Sequence, residues 1–150
     1  METNINQIKQ LRDETGASIV ECKKALEESG GDKEKTIEIL KKSQKILVSK
    51  KSEEEAKEGL IETYLHSNSK IGVLIEINCQ TDFVAKNQEF KNLAHDLAMQ
   101  IAATDPSDIE ALLEQPFIKD PNKTIGDLIS EYIAKLGENI KVSRFIRYQM

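Results

Sequence analysis

A change of hydrophobic period across residues 71–102 constrains this chain more than any other feature. Ile71-Gly72-Val73-Leu74-Ile75-Glu76-Ile77-Asn78-Cys79 is β-branched, apolar and near-alternating, the pattern of a β-strand. Phe90, Leu93, Ala94, Leu97, Ala98, Ile101 and Ala102 recur at the three-and-four spacing of a helix. Thr81-Asp82-Phe83-Val84-Ala85-Lys86-Asn87 lies between them, at a strand-to-helix junction. Loops held by rigid elements are where function concentrates. Asp82 beside Phe83 at such a place is either a helix cap with a core anchor or a charged wedge that enters a partner.

At 150 residues the chain makes one domain of ordinary size, or a small module with a compact core. No apolar run is long enough to span a bilayer, so no membrane partner is expected. The formal net charge of −5 argues against a general nucleic-acid binder, which normally shows a basic face. Residues 1–6 have neither the basic start nor the apolar core of a secretory signal, and are too acidic and Arg-poor for a transit peptide. Cys22 and Cys79 lie far apart, so two reduced, buried thiols in a cytoplasmic compartment are expected. With His66 and His95 they lack the close pairwise spacing of a zinc site, and no metal or cofactor is called for.

The remaining elements follow in chain order. Residues 4–45 read as three short helices. Ile5, Ile8 and Leu11 share one face of the first, which stops at Thr15-Gly16. The second opens at Ser18, and Ser18-x-x-Glu21 has capping-box spacing. Val20, Cys22, Ala25 and Leu26 supply its apolar surface, and Gly30-Gly31 ends it. The third starts at Asp32 and turns Ile37 and Leu40 inward. So small a module buries little core and is marginal alone. Residues 46–58 form a charged linker, with Lys50 and Lys51 facing Glu53-Glu54-Glu55. This is either a solvated, partly helical connector or a place where one lysine touches an acidic partner surface.

From Gly59 the texture becomes that of a core. Residues 60–66 and 70–79 read as an antiparallel hairpin across a turn at Ser67-Asn68-Ser69-Lys70. A long helix follows and ends at Thr104-Asp105-Pro106-Ser107. Residues 108–114 add a short helical piece, and Pro116 and Pro121 bracket an extended connection. Thr124-x-x-Asp127 opens a helix carrying Ile125, Leu128, Ile129, Tyr132, Ile133 and Leu136 and closing at Gly137. Residues 139–149 alternate as a third strand, which as an edge strand invites pairing with another chain. The fold class is α+β, with a mostly antiparallel three-stranded sheet covered by helices on one face. The domains are 1–45, a linker at 46–58 and a core at 59–150.

Four blocks carry a resemblance to a known family. Leu11-Arg12-Asp13-Glu14-Thr15-Gly16-Ala17, Cys22-Lys23-Lys24-Ala25-Leu26 and Gly31-Asp32-Lys33-Glu34-Lys35 resemble the N-terminal module of the translation elongation factor Ts family. Asn78-Cys79-Gln80-Thr81-Asp82-Phe83-Val84-Ala85-Lys86-Asn87 resembles its most diagnostic signature. Gln115-Pro116-Phe117-Ile118-Lys119-Asp120 and Ile133-Ala134-Lys135-Leu136-Gly137-Glu138-Asn139-Ile140 resemble its C-terminal blocks, in the family's order.

The resemblance implies a guanine-nucleotide exchange factor acting on elongation factor Tu, GDP-bound and nucleotide-free, without covalent catalysis. It implies a ubiquitin-associated-like three-helix module followed by an α+β dimerisation core. Phe83 is then the wedge, and Asp82 hydrogen-bonds the partner near its Mg²⁺ site. Thr81 and Val84 flank them as further partner contacts; Arg12, Ile19, Val20 and Lys23 are contacts of the module, and Lys51 of the linker. Two departures stand out. The spacer between Pro106 and Gln115 is short where the family usually inserts a helical segment, and such short forms pair as homodimers. Ser18-Ile19-Val20 stands where the family commonly has a Gly-Met-Met-like run. The implied compartment is the bacterial cytosol or an organelle stroma or matrix. Three competing readings are a ubiquitin-associated-like binding module on a dimerisation core without exchange activity, a hydrolase using Cys79 or His66, and a family descendant whose function is weakened by loss of partner contacts in the missing segment.

Overall fold

The computed structural model describes residues 5–150; the readings made on residues 1–4, the first residue of the expected helix among them, lie outside the described residues. The chain begins with helices α1 (Ile5–Thr15), α2 (Ile19–Ser29) and α3 (Lys33–Lys51). Their ends are set by local chemistry. The Ser18 backbone N–H donates to Glu21 Oε2 at 2.8 Å, and the Glu21 N–H donates to Ser18 Oγ at 3.2 Å, closing the expected capping box. Asp32 caps α3 through the Lys35 N–H. Leu11, Cys22, Ala25, Leu26 and Leu40 form a small core among the three helices.

Helix α3 runs through residues 46–51, past the expected end of the third helix at 45. Neither glycine nor proline interrupts it, and Val48 in its last turns packs on the larger core. One helix therefore closes the small core with its first half and reaches the second core with its last. Val20 points outward, away from the apolar surface it was expected to join.

The larger core is built on three antiparallel strands, β1 (Glu58–Leu65), β2 (Ile71–Cys79) and β5 (Lys141–Gln149), in the order β1-β2-β5. Tyr64 pairs with Val73 in one ladder, and Val73 with Arg147 in the other. Gly59 adopts φ +148°, and a Cβ there would sit 2.1 Å from the Ile77 carbonyl oxygen, so the start of β1 requires glycine. Val73, Ile75, Ile77 and Cys79 form the inward row of β2. They meet α5 (Gln88–Thr104), which buries Phe90, Leu93, Ala94, Leu97, Ala98 and Ile101. Between β2 and α5 lies the short helix α4 (Asp82–Ala85).

After α5 come α6 (Ile109–Glu114), then β3 (Pro116–Phe117) and β4 (Asp120–Thr124), which pair as a small antiparallel hairpin where the sequence indicated only an extended connection. Its anchor is a buried polar side chain. Gln100 Nε2 donates to the Pro116 carbonyl at 3.1 Å, and Gln100 Oε1 accepts from the Ile118 N–H at 3.0 Å. Helix α7 (Ile125–Leu136) starts in the Thr124–Asp127 capping box, ends at Gly137 (φ +75°), and packs against α3. The architecture is α+β, with helices on one face of the sheet. The other face presents Ile61, Leu65, Leu74, Ile146 and Tyr148 to solvent.

Candidate partner-binding site

Strand β2 ends at Cys79 because the backbone must turn into α4, and Thr81 is the N-cap of that turn. Its φ and ψ are extended, and its Oγ1 accepts from the Val84 N–H at 3.3 Å. Asp82, Phe83 and Val84 are then successive residues of one short helix and point in different directions. Val84 is 6% exposed and belongs to the core, so its side chain braces the helix from beneath. Phe83 is 84% exposed. The core-anchor alternative for Phe83 is thus excluded by its position, and Val84 fills that role instead.

Asp82 stands in the first turn of α4, where the helix dipole favours a negative charge. Its Oδ2 lies 2.8 Å from Lys86 Nζ one turn on. The hydrogen bond to Asp82, reinforced by its charge, holds the Lys86 ammonium above its usual pKa. Both groups are well exposed, and an exposed pair of this kind contributes little to stability. Asp82 can exchange Lys86 for another donor at little cost.

The base of the tip is tied down by residues far along the chain. Glu138 Oε1 accepts from the backbone N–H of Gln80 at 3.0 Å and of Thr81 at 2.9 Å, and Glu138 Oε2 accepts from Thr81 Oγ1 at 2.7 Å. The Asn139 N–H donates to Gln80 Oε1 at 2.6 Å, and Asn139 Nδ2 donates to the Glu54 carbonyl at 2.9 Å. These residues were quoted in the sequence only as part of a C-terminal block. Their contact with the tip joins positions too distant for any local pattern to report.

Arg12, Ile19, Val20 and Lys23 lie on α1 and α2. Arg12 and Ile19 line one groove with Ile5 and Ile8, and α7 contributes Ala134 and Lys135 to its wall. Ile19 is 54% exposed and Val20 75%, although both are large and apolar. Lys23 follows Ile19 by one helical turn and is exposed beside it. Ile5, also exposed, extends this apolar surface; the sequence placed it on one helix face with Ile8 and Leu11 without marking it as a contact. Lys51 is half-buried at the last position of α3. The tip residues and the module residues thus occupy two separate supports.

Cys79 is fully buried behind the tip, with its Sγ 3.2 Å from the Thr81 carbonyl. Burial, helped by the Glu138 charge, pushes its thiol up to about 11. Nucleophilic chemistry needs a thiolate, which this thiol does not supply near neutrality. That removes the Cys79 form of the hydrolase reading. His66 is exposed near the β1–β2 turn, with its Nδ1 3.4 Å from the Tyr64 hydroxyl.

Large apolar side chains held out into solvent on fixed supports are the pattern of a protein-binding surface. The class so defined is an α+β protein that presents a helical module and an aromatic tip outward. The family model described as Elongation factor TS matches residues 80–150, from the tip to the end of β5. The chain is 43% identical to the elongation factor Ts of Thermodesulfovibrio yellowstonii, in an alignment covering 100% of this chain and 97% of that protein. It is also 43% identical to that of Thermotoga petrophila, covering 100% and 97%, and 41% identical to that of Desulforamulus reducens, covering 99% and 89%. The chain belongs to the elongation factor Ts family, a family of translation elongation factors. The first of these alignments runs over 194 residues against a chain of 150, so that relative carries residues with no counterpart here.

Proposed function

We propose that this chain is a guanine-nucleotide exchange factor that binds elongation factor Tu and promotes GDP release during translation elongation. The observation that carries the reading is the exposure of Phe83 at 84% on a helix whose neighbouring residue is buried. Family membership supplies the partner, and the geometry supplies a side chain free to enter it. The compartment this implies is the cytoplasm.

Exchange forms no covalent bond. The factor binds the nucleotide-free partner more tightly than the GDP-bound one, and linkage makes the antagonism reciprocal. Phe83 enters an apolar pocket of the partner as a wedge. Asp82 leaves Lys86 and accepts a hydrogen bond near the partner's Mg²⁺ site, loosening the grip on the phosphates. Val84 braces this pair from beneath, and Thr81, exposed beside Asp82, joins the contact with the partner.

Burial of one Phe contributes about 1.5–3 kcal/mol. Shifting a two-state equilibrium from nearly all one form to nearly all the other takes about 5.5 kcal/mol. The tip therefore acts together with Arg12, Ile19, Val20 and Lys23 on the module, and with Lys51. Domain limits of 1–45, 46–58 and 59–150 fit this division of labour, with the helical part of the connector setting the spacing. The open face of the sheet, with Ile61, Leu74 and Ile146 outward, serves a second copy of the chain in a homodimer.

Release of a fluorescent GDP analogue from elongation factor Tu, with and without this protein, tests the reading. The expected result is a faster release that Phe83→Ala largely removes. Equal rates with and without the protein would overturn it.

A further inference from the structure

We infer that Glu138 is the positioning residue that holds the Asp82–Phe83 tip in its working orientation; the inference rests on the exchange reading of that tip. Phe83 is too exposed for packing to fix its direction. Helix α4 is four residues long, far below the length at which a helix is stable by itself. The direction of the ring therefore depends on Val84, seated in the core, and on the backbone that leads into α4, at Gln80 and Thr81.

That backbone is held by one carboxylate. Glu138 takes both N–H groups with Oε1 and the Thr81 hydroxyl with Oε2, at 3.0, 2.9 and 2.7 Å. Hydrogen bonds to an ionised acceptor are about twice as strong as neutral ones. The Thr81 hydroxyl passes the constraint on, because the same oxygen accepts from the Val84 N–H in the first turn of α4. Glu138 is itself fixed. It follows Gly137, the left-handed cap of α7, and α7 is seated on the core by Ile125, Ile129 and Ile133. A side chain held in its bound orientation loses less freedom on binding. Glu138 thus acts on the partner through Phe83.

The test uses the full chain as Glu138→Ala and Glu138→Gln, and as Glu138→Ala combined with Phe83→Ala. Two readouts are taken: amide hydrogen exchange at Gln80 and Thr81 in the free protein, and stimulated release of fluorescent GDP from elongation factor Tu. Glu138→Ala is expected to speed Thr81 amide exchange by about tenfold or more, and to slow GDP release. Glu138→Gln is expected to keep most of both, since Oε1 still accepts the two N–H groups and the amide can donate to Thr81 Oγ1. In the Phe83→Ala background, Glu138→Ala is expected to change release no further. Unchanged Thr81 exchange in Glu138→Ala, or an equal loss of release with and without Phe83, would overturn the inference. If the unaltered chain releases no GDP, the exchange reading fails and takes the working role of Glu138 with it, while the amide measurement still decides whether Glu138 fixes the backbone.

Discussion

Phe83 and Val84 are adjacent in sequence and opposite in environment: the first is 84% exposed, the second 6%. One residue step along the helix divides an exposed aromatic from a core residue. Phe83→Ala is therefore expected to leave stability within about 0.5 kcal/mol of the parent. Val84→Ala, which removes two buried carbons, is expected to cost about 2 kcal/mol. Urea unfolding of the two variants checks the contrast, and a larger loss in Phe83→Ala would show that the ring is packed in solution.

Gly59 begins β1 at φ +148°, and the space for a Cβ is taken by the Ile77 carbonyl oxygen at 2.1 Å. The obstacle is backbone of the central strand, so it does not move aside like a side chain. Gly59→Ala is expected to destabilise by about 2 kcal/mol or more. The midpoint of denaturant unfolding reads the effect.

Arg144 and Arg147 lie on opposite faces of β5 and have different tasks. Arg147 Nε and Nη2 donate to the Ala102 carbonyl in the last turn of α5 at 3.2 and 3.0 Å, with the side chain 11% exposed. Arg144 pairs with Glu76 on the open face at 2.9 Å, with the side chain 77% exposed. Arg147→Ala is expected to cost about 2 kcal/mol, because it leaves the Ala102 carbonyl without the two N–H groups that meet it. Arg144→Ala is expected to cost less than about 1 kcal/mol. Thermal melts of the two variants measured side by side separate them.

Cys79 gives a pH dependence whose sign can be worked out. Burial raises its folded pKa from the ordinary 9.0 to about 11. The folded state thus binds this proton more tightly than the unfolded state. The contribution is fully present below pH 9 and is lost as pH rises toward 11. Stability of the parent is expected to fall more steeply over that window than stability of Cys79→Ala. Parallel unfolding curves at several pH values give the comparison, and equal slopes would show that the thiol is not shielded.

The open face of the sheet carries Ile61, Leu74 and Ile146 around the central strand. A charge there is incompatible with pairing of two such faces, yet it faces solvent in a single copy. The parent is expected to show the mass of two chains in light scattering at micromolar concentration, and Leu74→Asp the mass of one. One-chain mass for the parent would end the homodimer proposal.

The caps and periods were legible because their causes are local. Ser18 meets Glu21, Asp32 meets Lys35 and Thr124 meets Asp127 within one turn of chain, so residue type and spacing state the contact in advance. The strand at 71–79 and the helix at 90–102 follow from a period that one buried face imposes. The resemblance marked Phe83 as a wedge, although residue chemistry alone favoured a core anchor.

What sequence alone determined is therefore the longer helices and strands, their order and the α+β class, since each depends on interactions within a few residues. Tertiary structure decided the rest. It chose Val84 over Phe83 for the core and turned Ile5 and Val20 outward. It carried α3 onto the second core, paired β3 with β4 over the buried Gln100, and brought Glu138 beneath Thr81. Each of these depends on which distant surfaces meet, and hydrophobicity is indifferent to partner. The helix that carries Phe83 is short and local, but it rests on core contacts and on a carboxylate far along the chain.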